Sequence, residues 1–141
     1  MEENKKRILL VDDEATFTNA LKFYLEKTGR FVVETENHGM NALASAKAFM
    51  PDLILLDVIM PEIDGGMVAA QLKADSDLNQ VPVLFLTAAV SREEATTRSG
   101  LIGGKLFIAK PVSAKEVLAH LDFYLEKDGP AGTRSGRSLA T

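Results

Sequence analysis

The chain has 141 residues, enough for one compact domain and too few for two ordinary ones. Hydrophobic residues make up 46% and charged residues 26% of the sequence, a balance that excludes extensive disorder. With a formal net charge of −4, the chain is not expected to bind nucleic acid or membranes. Because it has no cysteine, it can form neither disulfides nor thiolate metal sites, which agrees with a cytoplasmic location.

Five short apolar runs predict five strands. They cover residues 8–11, 31–33, 53–56, 83–86 and 106–109. Because the runs are continuous and not alternating, both faces of most strands are expected to be covered, as in a parallel sheet between two layers of helices. The second run turns polar at its end, which indicates an edge strand.

Helical segments separate the runs, which predicts five βα units. The first has an apolar stripe of Phe17, Leu21, Tyr24 and Leu25, and the last has one of Val117, Leu118, Leu121, Tyr124 and Leu125. Gly29 is placed to end the first helix in a left-handed conformation. Ser113 with Glu116, and Ser91 with Glu94, have the spacing of helix capping boxes.

The last part of the chain differs in composition from the rest. Residues 128–141 are rich in glycine, serine and other small residues, without periodicity or aromatic side chains. This composition predicts a flexible tail or linker stub. The folded domain is therefore expected to cover residues 1–127.

Reactive side chains follow four of the five runs directly. Asp12 and Asp13 follow the first run, Asp57 the third, Thr87 the fourth, and Lys110 with Pro111 the fifth. Ligands of open parallel sheets bind at the carboxyl ends of the strands. The pattern therefore predicts a site in which three carboxylates, a hydroxyl and an ammonium converge.

Three carboxylates beside one cation predict a bound divalent ion. Two like charges about 4 Å apart cost roughly 4 kcal/mol at an effective dielectric of about 20, and Lys110 offsets one charge. An all-oxygen, partly hydrated site favours Mg²⁺, or Mn²⁺ in its place. Asp57 stands alone after the central run and is the preferred nucleophile toward a phosphoryl group, whereas the adjacent Asp12 and Asp13 suit metal binding.

Four segments carry a family resemblance. Residues 8–13 read Ile-Leu-Leu-Val-Asp-Asp, residues 55–65 Leu-Leu-Asp-Val-Ile-Met-Pro-Glu-Ile-Asp-Gly, residues 84–88 Leu-Phe-Leu-Thr-Ala, and residues 107–111 Phe-Ile-Ala-Lys-Pro. With these motifs the chain resembles a response-regulator receiver domain of bacterial two-component signalling, of the chemotaxis-receiver type, over roughly residues 5–127. The resemblance implies an α/β, flavodoxin-like (βα)5 three-layer sandwich with a five-stranded parallel sheet in the order 2-1-3-4-5.

The resemblance also implies roles for the site residues. Asp57 would take a phosphoryl group from a partner histidine kinase or phosphotransfer protein, Asp12 and Asp13 would hold Mg²⁺ with the backbone carbonyl of Ile59, and Lys110 and Thr87 would contact the phosphoryl oxygens. Phe107 would change rotamer when Thr87 moves, and the bond between Lys110 and Pro111 would be cis. The chain is then a signalling receiver that assists its own phosphorylation and slow autodephosphorylation, and not an enzyme acting on a separate substrate.

The expected output is a population shift. Phosphorylation would favour a minor state of the surface formed by the fourth helix, fifth strand and fifth helix, which a downstream protein effector reads. In the winged-helix branch of the family an acidic and a basic residue pair across a dimer at the positions of Leu106 and His120, and that pair is absent here. Leu106 and Phe123 are expected to make this surface apolar. The chain is expected to be a monomer or a weak dimer that depends on phosphorylation.

Two further positions depart from the family pattern. Ile59 and Ala89, two residues beyond the acceptor and beyond Thr87, offer no side-chain group to orient an attacking water. Slow self-hydrolysis of the phosphorylated form is therefore predicted.

Three other functions fit parts of the same pattern. A haloacid-dehalogenase-type phosphatase would need a general acid two residues after its nucleophile, where Ile59 stands. A flavodoxin-like flavin mononucleotide carrier would need a neutral, hydroxyl-rich phosphate loop, whereas Asp12, Asp13 and Glu14 would repel phosphate. An unphosphorylated receiver that acts as an interaction module keeps the same fold and stays open.

The remaining candidates have simpler interpretations. His38 and His120 lack a second ligand at metal-binding spacing and are interpreted as solvated or capping residues. The pairs at residues 65–66 and 103–104 are interpreted as turn glycines.

Overall fold

The computed structural model describes residues 5–87, 101–102, 105–109 and 113–127. Two compact units are present, Met1–Pro111, which holds the sheet, and Val112–Thr141. Within the described ranges, no helix has both the length and the apolarity needed to cross a lipid bilayer.

Six strands of the described residues form one sheet. They are β1 (Lys6–Val11), β2 (Phe31–Glu36), β3 (Leu53–Asp57), β4 (Val83–Thr87), β5 (Leu101–Ile102) and β6 (Lys105–Ala109). Their order across the sheet is β2-β1-β3-β4-β6-β5. All neighbouring pairs are parallel except β5 and β6, which are antiparallel.

The sheet confirms the predicted order. The first four predicted strands lie in the order β2-β1-β3-β4, and the predicted fifth strand, β6, pairs with β4. β2 is an edge strand, as its polar end indicated. β5 was not predicted, because two residues are too short a segment to show a hydrophobic period.

Helices connect the strands of the first unit. Among the described residues they are α1 (Ala15–Lys27), α2 (Ala42–Phe49), preceded by a 3₁₀ turn at Gly39–Asn41, and α3 (Gly65–Ala74). Gly29 follows α1 with φ of 80°, the left-handed conformation predicted for it. The two prolines before β3 and β4, Pro51 and Pro82, lie where a missing backbone donor is tolerated.

The buried face of α1 differs slightly from the predicted stripe. Leu21 and Leu25 are buried as expected, but Tyr24 is 37% exposed. Thr18 is fully buried instead. Its hydroxyl donates to the Ala15 carbonyl at 3.2 Å, so burial leaves this polar group paired.

The core holds the centre of the sheet in place. All five residues of β3 and the last four of β1 are buried, which explains their continuous apolar runs. One face of these strands packs with residues of α2 and α3, among them Ala46, Val68 and Leu72. The carboxyl ends of β1 and β3 are therefore fixed side by side in close-packed surroundings.

The described residues of the second unit form one helix, Ala114–Lys127. The Ser113 N–H donates to Glu116 Oε1 at 2.9 Å, and the Glu116 N–H donates to Ser113 Oγ at 3.1 Å. This reciprocal pair confirms the predicted capping box. The second predicted box, Ser91 with Glu94, lies outside the described residues, as does the predicted tail.

Candidate functional site

The acidic residues meet at the carboxyl edge of the sheet. β1 and β3 are parallel neighbours with Val11 opposite Leu56, so Asp12 follows β1 at the level where Asp57 ends β3. Asp57 is opposite Leu86 of β4 on its other side. The register therefore brings residues 45 positions apart in sequence to one place, as the strand-end argument predicted.

The three carboxylates form one cluster. Carboxylate oxygens of Asp12, Asp13 and Asp57 all lie within 4.8 Å of one another. Asp12 is 1% exposed and Asp57 is 5% exposed, whereas Asp13 is exposed. Two of the three acids are thus held within the fold, and the third is open to solvent.

Such a cluster is electrostatically costly. Two unit charges at this separation repel by about 3 kcal/mol at an effective dielectric of about 20. Carboxylate oxygens are hard ligands, and three of them close together match the donor set that divalent cations such as Mg²⁺ and Mn²⁺ prefer. Asp12, Asp13 and Asp57 therefore fit a divalent cation.

Hydrogen bonds fix the loop that carries the first two acids. Asp12 Oδ1 accepts from the Glu14 N–H at 3.0 Å, and the Asp12 N–H donates to the Glu36 carbonyl at 3.1 Å. The Asn37 side-chain amide donates to the Asp12 carbonyl at 2.7 Å. Asn37 was not among the predicted site residues, because an asparagine after an edge strand is typical of an ordinary turn.

The loop after Asp57 closes tightly onto α3. Asp64 caps this helix, with its Oδ1 accepting from the Met67 N–H at 2.9 Å. The Gly65 N–H donates to the Val58 carbonyl at 2.7 Å. The interpretation of Gly65 and Gly66 as turn glycines is wrong, because both lie in α3. The second pair, at residues 103–104, lies outside the described residues. Gly65 is the first residue of α3, and a Cβ there would overlap the Asp57 carbonyl oxygen.

Ile59 lies in the same loop with its side chain 63% exposed. Its apolar side chain offers no hydrogen-bonding group to the neighbouring acids. The role of its backbone carbonyl as a metal ligand remains a prediction.

The remaining predicted site residues belong to the segments around β4 and β6. Thr87 ends β4 and is opposite Ala109 of β6, so its backbone lies at the carboxyl edge of the sheet, one strand away from Asp57. Lys110, Pro111 and Ala89 lie outside the described residues. The side chains of Thr87, Leu106 and Phe107 also lie outside the described part, so their predicted roles remain predictions.

The two histidines and Phe123 differ in exposure and in their neighbours. The His38 side chain is 65% exposed, with Nδ1 4.0 Å from Glu62 Oε1, which agrees with a solvated residue. Burial lowers the pKa of His120, and the nearby Glu116 carboxylate opposes that shift. Phe123 is 58% exposed, and its ring makes an edge contact with Tyr124.

Comparison with known proteins identifies related sequences. Residues 8–122 match the model of the response regulator receiver domain. The chain is 37% identical over 131 residues to the alkaline phosphatase synthesis transcriptional regulatory protein PhoP of Bacillus subtilis, a match covering 92% of this chain and 52% of that protein. The chain is 37% identical to the probable transcriptional regulator ycf27 of Guillardia theta, covering 94% of this chain and 50% of that one. It thus spans about half the length of these transcriptional regulators.

Shorter relatives match over nearly their whole length. The polar-differentiation response regulator DivK of Brucella anthropi is 33% identical over 121 residues, covering 85% of this chain and 96% of that protein. The solved structure of the chemotaxis protein CheY4 of Vibrio cholerae superposes with a TM-score of 0.72 at 28% identity, covering 86% of this chain and 99% of that one. The predicted flavodoxin-like fold is confirmed by this similarity.

Proposed function

The chain belongs to the response regulator receiver domain family, and from this we propose that it takes a phosphoryl group from a histidine kinase or phosphotransfer protein onto Asp57. The observation that carries the proposal is the cluster of three carboxylates within 4.8 Å at the carboxyl edge of the sheet. Asp57 is the last residue of β3, a central strand of the sheet, and is 5% exposed. Burial restricts the orientations open to such a carboxylate, which favours its use as a nucleophile.

The proposed chemistry is a single phosphoryl transfer. An Asp57 carboxylate oxygen attacks phosphorus, the new P–O bond forms, and the bond between phosphorus and the donor nitrogen breaks with its electron pair leaving on that nitrogen. Asp12 and Asp13 would hold Mg²⁺ together with Asp57 and the Ile59 carbonyl. When bound, the ion supplies positive charge that neutralises the phosphoryl oxygens. Lys110 and Thr87 are proposed to contact the same oxygens.

We expect Mg²⁺ to stabilise the folded chain. At about 100 times its Kd, a ligand that binds the folded state raises the free energy of unfolding by about 2.7 kcal/mol. Asp13→Asn should reduce this gain by more than about half, because it removes the exposed member of the cluster. Urea unfolding with Mg²⁺ and with EDTA measures the effect, and Asp77→Asn is the control, since Asp77 lies in the exposed loop after α3. Equal Mg²⁺ gains in wild type and Asp13→Asn would contradict the metal assignment.

The phosphorylated form is expected to persist. Ile59 is 63% exposed and apolar, and Ala89 likewise carries no polar group, so neither orients water for attack on the acyl phosphate. The half-life of the purified phosphoprotein, followed by loss of label after removal of the donor, should be minutes or longer. Decay within seconds without a phosphatase would count against this prediction.

The output is proposed to be a conformational shift read by a protein partner. Phe107 would change rotamer when Thr87 moves. Phosphorylation would then raise the population of a minor conformation of one surface, which is formed by the predicted fourth helix, β6 and the helix Ala114–Lys127. Leu106, His120 and Phe123 are the proposed partner residues, and loss of partner binding in Leu106→Asp would support this. Three further properties remain predictions: a cytoplasmic location, a receiver domain that extends over residues 1–127, and a monomeric or weakly dimeric state that depends on phosphorylation.

Phosphorylation by a small-molecule donor tests the proposed function. The full chain is incubated with acetyl phosphate in Mg²⁺ or in EDTA, and intact mass gives the fraction modified. We expect one hydroxylamine-labile phosphoryl group per chain in Mg²⁺ and little in EDTA. Absence of modification in Mg²⁺, from both acetyl phosphate and a histidine kinase, would favour an interaction module that works without phosphorylation.

A further inference from the structure

The side chain of Asn37 joins both ends of the loop that carries Asp12 and Asp13. Asn37 follows the edge strand β2 and is half-buried. Its Nδ2 donates to the Asp12 carbonyl at 2.7 Å and to Thr18 Oγ1 at 3.0 Å. Asp12 precedes the loop's turn and Thr18 lies in the first turns of α1. One amide therefore connects the two sides of the loop.

Neighbouring bonds make this connection rigid. The Asp12 N–H donates to the Glu36 carbonyl at 3.1 Å, so two consecutive residues of β2 and its loop hold both main-chain polar groups of Asp12. Thr18 is fully buried and donates onward to the Ala15 carbonyl at 3.2 Å. Each partner of Asn37 is thus fixed by a second bond, and buried networks of this kind hold one conformation.

The loop needs such restraint because its charges repel Asp57. Each pair of carboxylates at the observed separation repels by about 3 kcal/mol at an effective dielectric of about 20, and the loop, in which Asp13 is exposed, could relieve this by moving outward. The Asn37 amide carries no charge of its own. It therefore restrains the loop without adding a fourth anion, which aspartate at the same position would do.

We propose that Asn37 is a positioning residue for the acid cluster and that it sets the affinity of the cluster for Mg²⁺ without touching the ion. This inference rests on the proposed function. Residues that orient metal ligands from outside typically change metal affinity by roughly 10- to 100-fold when removed. The hydrogen bonds of Asn37 to the backbone and to Thr18 place it in that role toward Asp12.

Calorimetric titration with Mg²⁺ alone tests the proposal on the full chain. Asn37→Ala should raise the Kd for Mg²⁺ by at least about tenfold. Asn41→Ala is the matched control, because Asn41 lies in the same β2–α2 connection, is exposed, and forms no side-chain capping hydrogen bond. The Kd of Asn41→Ala for Mg²⁺ should equal that of the wild type. Urea unfolding in EDTA confirms that each variant is fully folded under the titration conditions.

A purely structural role predicts a different result. In that case Asn37→Ala would lower the free energy of unfolding but would bind Mg²⁺ with the wild-type Kd, and this outcome would overturn the proposal. If Asn37→Ala does not fold, Thr18→Val replaces it, since it removes one acceptor of Asn37 and keeps the side-chain shape. Thr18→Val should raise the Kd by a smaller factor, and an unchanged Kd would also contradict the proposal. A wild-type chain that binds no Mg²⁺ would instead remove the proposed function itself.

Discussion

Replacing Asp57 by asparagine is expected to lower phosphorylation by acetyl phosphate by at least about 100-fold, because the amide oxygen carries no charge and is a poor nucleophile. Asp57 is 5% exposed at the end of the central strand, and its carboxylate lies within 4.8 Å of those of Asp12 and Asp13. The measurement is the initial rate of label incorporation at saturating Mg²⁺ and donor. Labelling of Asp57→Asn at the wild-type rate would refute the acceptor assignment.

The same variant should remain folded. Removing one of three neighbouring negative charges relieves a repulsion of about 3 kcal/mol per pair at an effective dielectric of about 20, so Asp57→Asn should unfold in EDTA at a urea concentration no lower than the wild type. Asp77→Asn is the matched control for labelling, because it exchanges the same groups at an exposed loop position. It should be labelled at the wild-type rate. Loss of labelling in both variants would indicate a nonspecific effect.

The substitution Gly65→Ala is expected to damage both the fold and the site. An added Cβ would overlap the Asp57 carbonyl oxygen and would lie 2.8 Å from Val58 Cα. Both contacts are to backbone atoms, so no side-chain rotation relieves them, and the loop after β3 must move. We expect a loss of about 1–3 kcal/mol in the free energy of unfolding. The labelling rate should fall by about tenfold or more, since small displacements of a reacting group are costly.

The adjacent glycine provides the control. A Cβ at Gly66 would meet the Asp64 side chain at 3.1 Å, which is a closer approach than usual but involves a side chain and not the backbone. Gly66 is also exposed on α3. Gly66→Ala should change the free energy of unfolding by within about 0.5 kcal/mol and leave labelling unchanged. Urea unfolding and labelling of the two variants side by side give the comparison, and equal effects would show that the contact with Asp57 is unimportant.

Much of the fold was predictable because the pattern of apolar residues along the sequence follows from which faces of a strand are buried. The two-sided burial of β1 and β3 requires continuous apolar runs, and the open edge of β2 permits its polar end. The two residues of β5 are too few to show such a pattern of apolar residues. Tyr24 fits the helical stripe of α1 by its spacing, yet whether a residue at the margin of a stripe is covered depends on the packed neighbours.

The acid cluster was predictable for a topological reason. Parallel strands deliver their carboxyl ends to one edge, so aspartates that follow separate runs must meet there. The supporting residues were not predictable in the same way. The role of Gly65 depends on how closely α3 approaches the Asp57 backbone, and that of Asn37 on a hydrogen bond across 25 positions of sequence. Both are properties of the assembled fold, and both residue types are common in turns.

Determination of the structure with Mg²⁺ and beryllofluoride tests the central claim most directly, because beryllofluoride imitates a phosphoryl group on a carboxylate. We expect the beryllofluoride on a carboxylate oxygen of Asp57, and one Mg²⁺ ion held by Asp12, Asp13 and Asp57. A structure in which these carboxylates point apart, or in which the two ligands occupy a different place, would contradict the account.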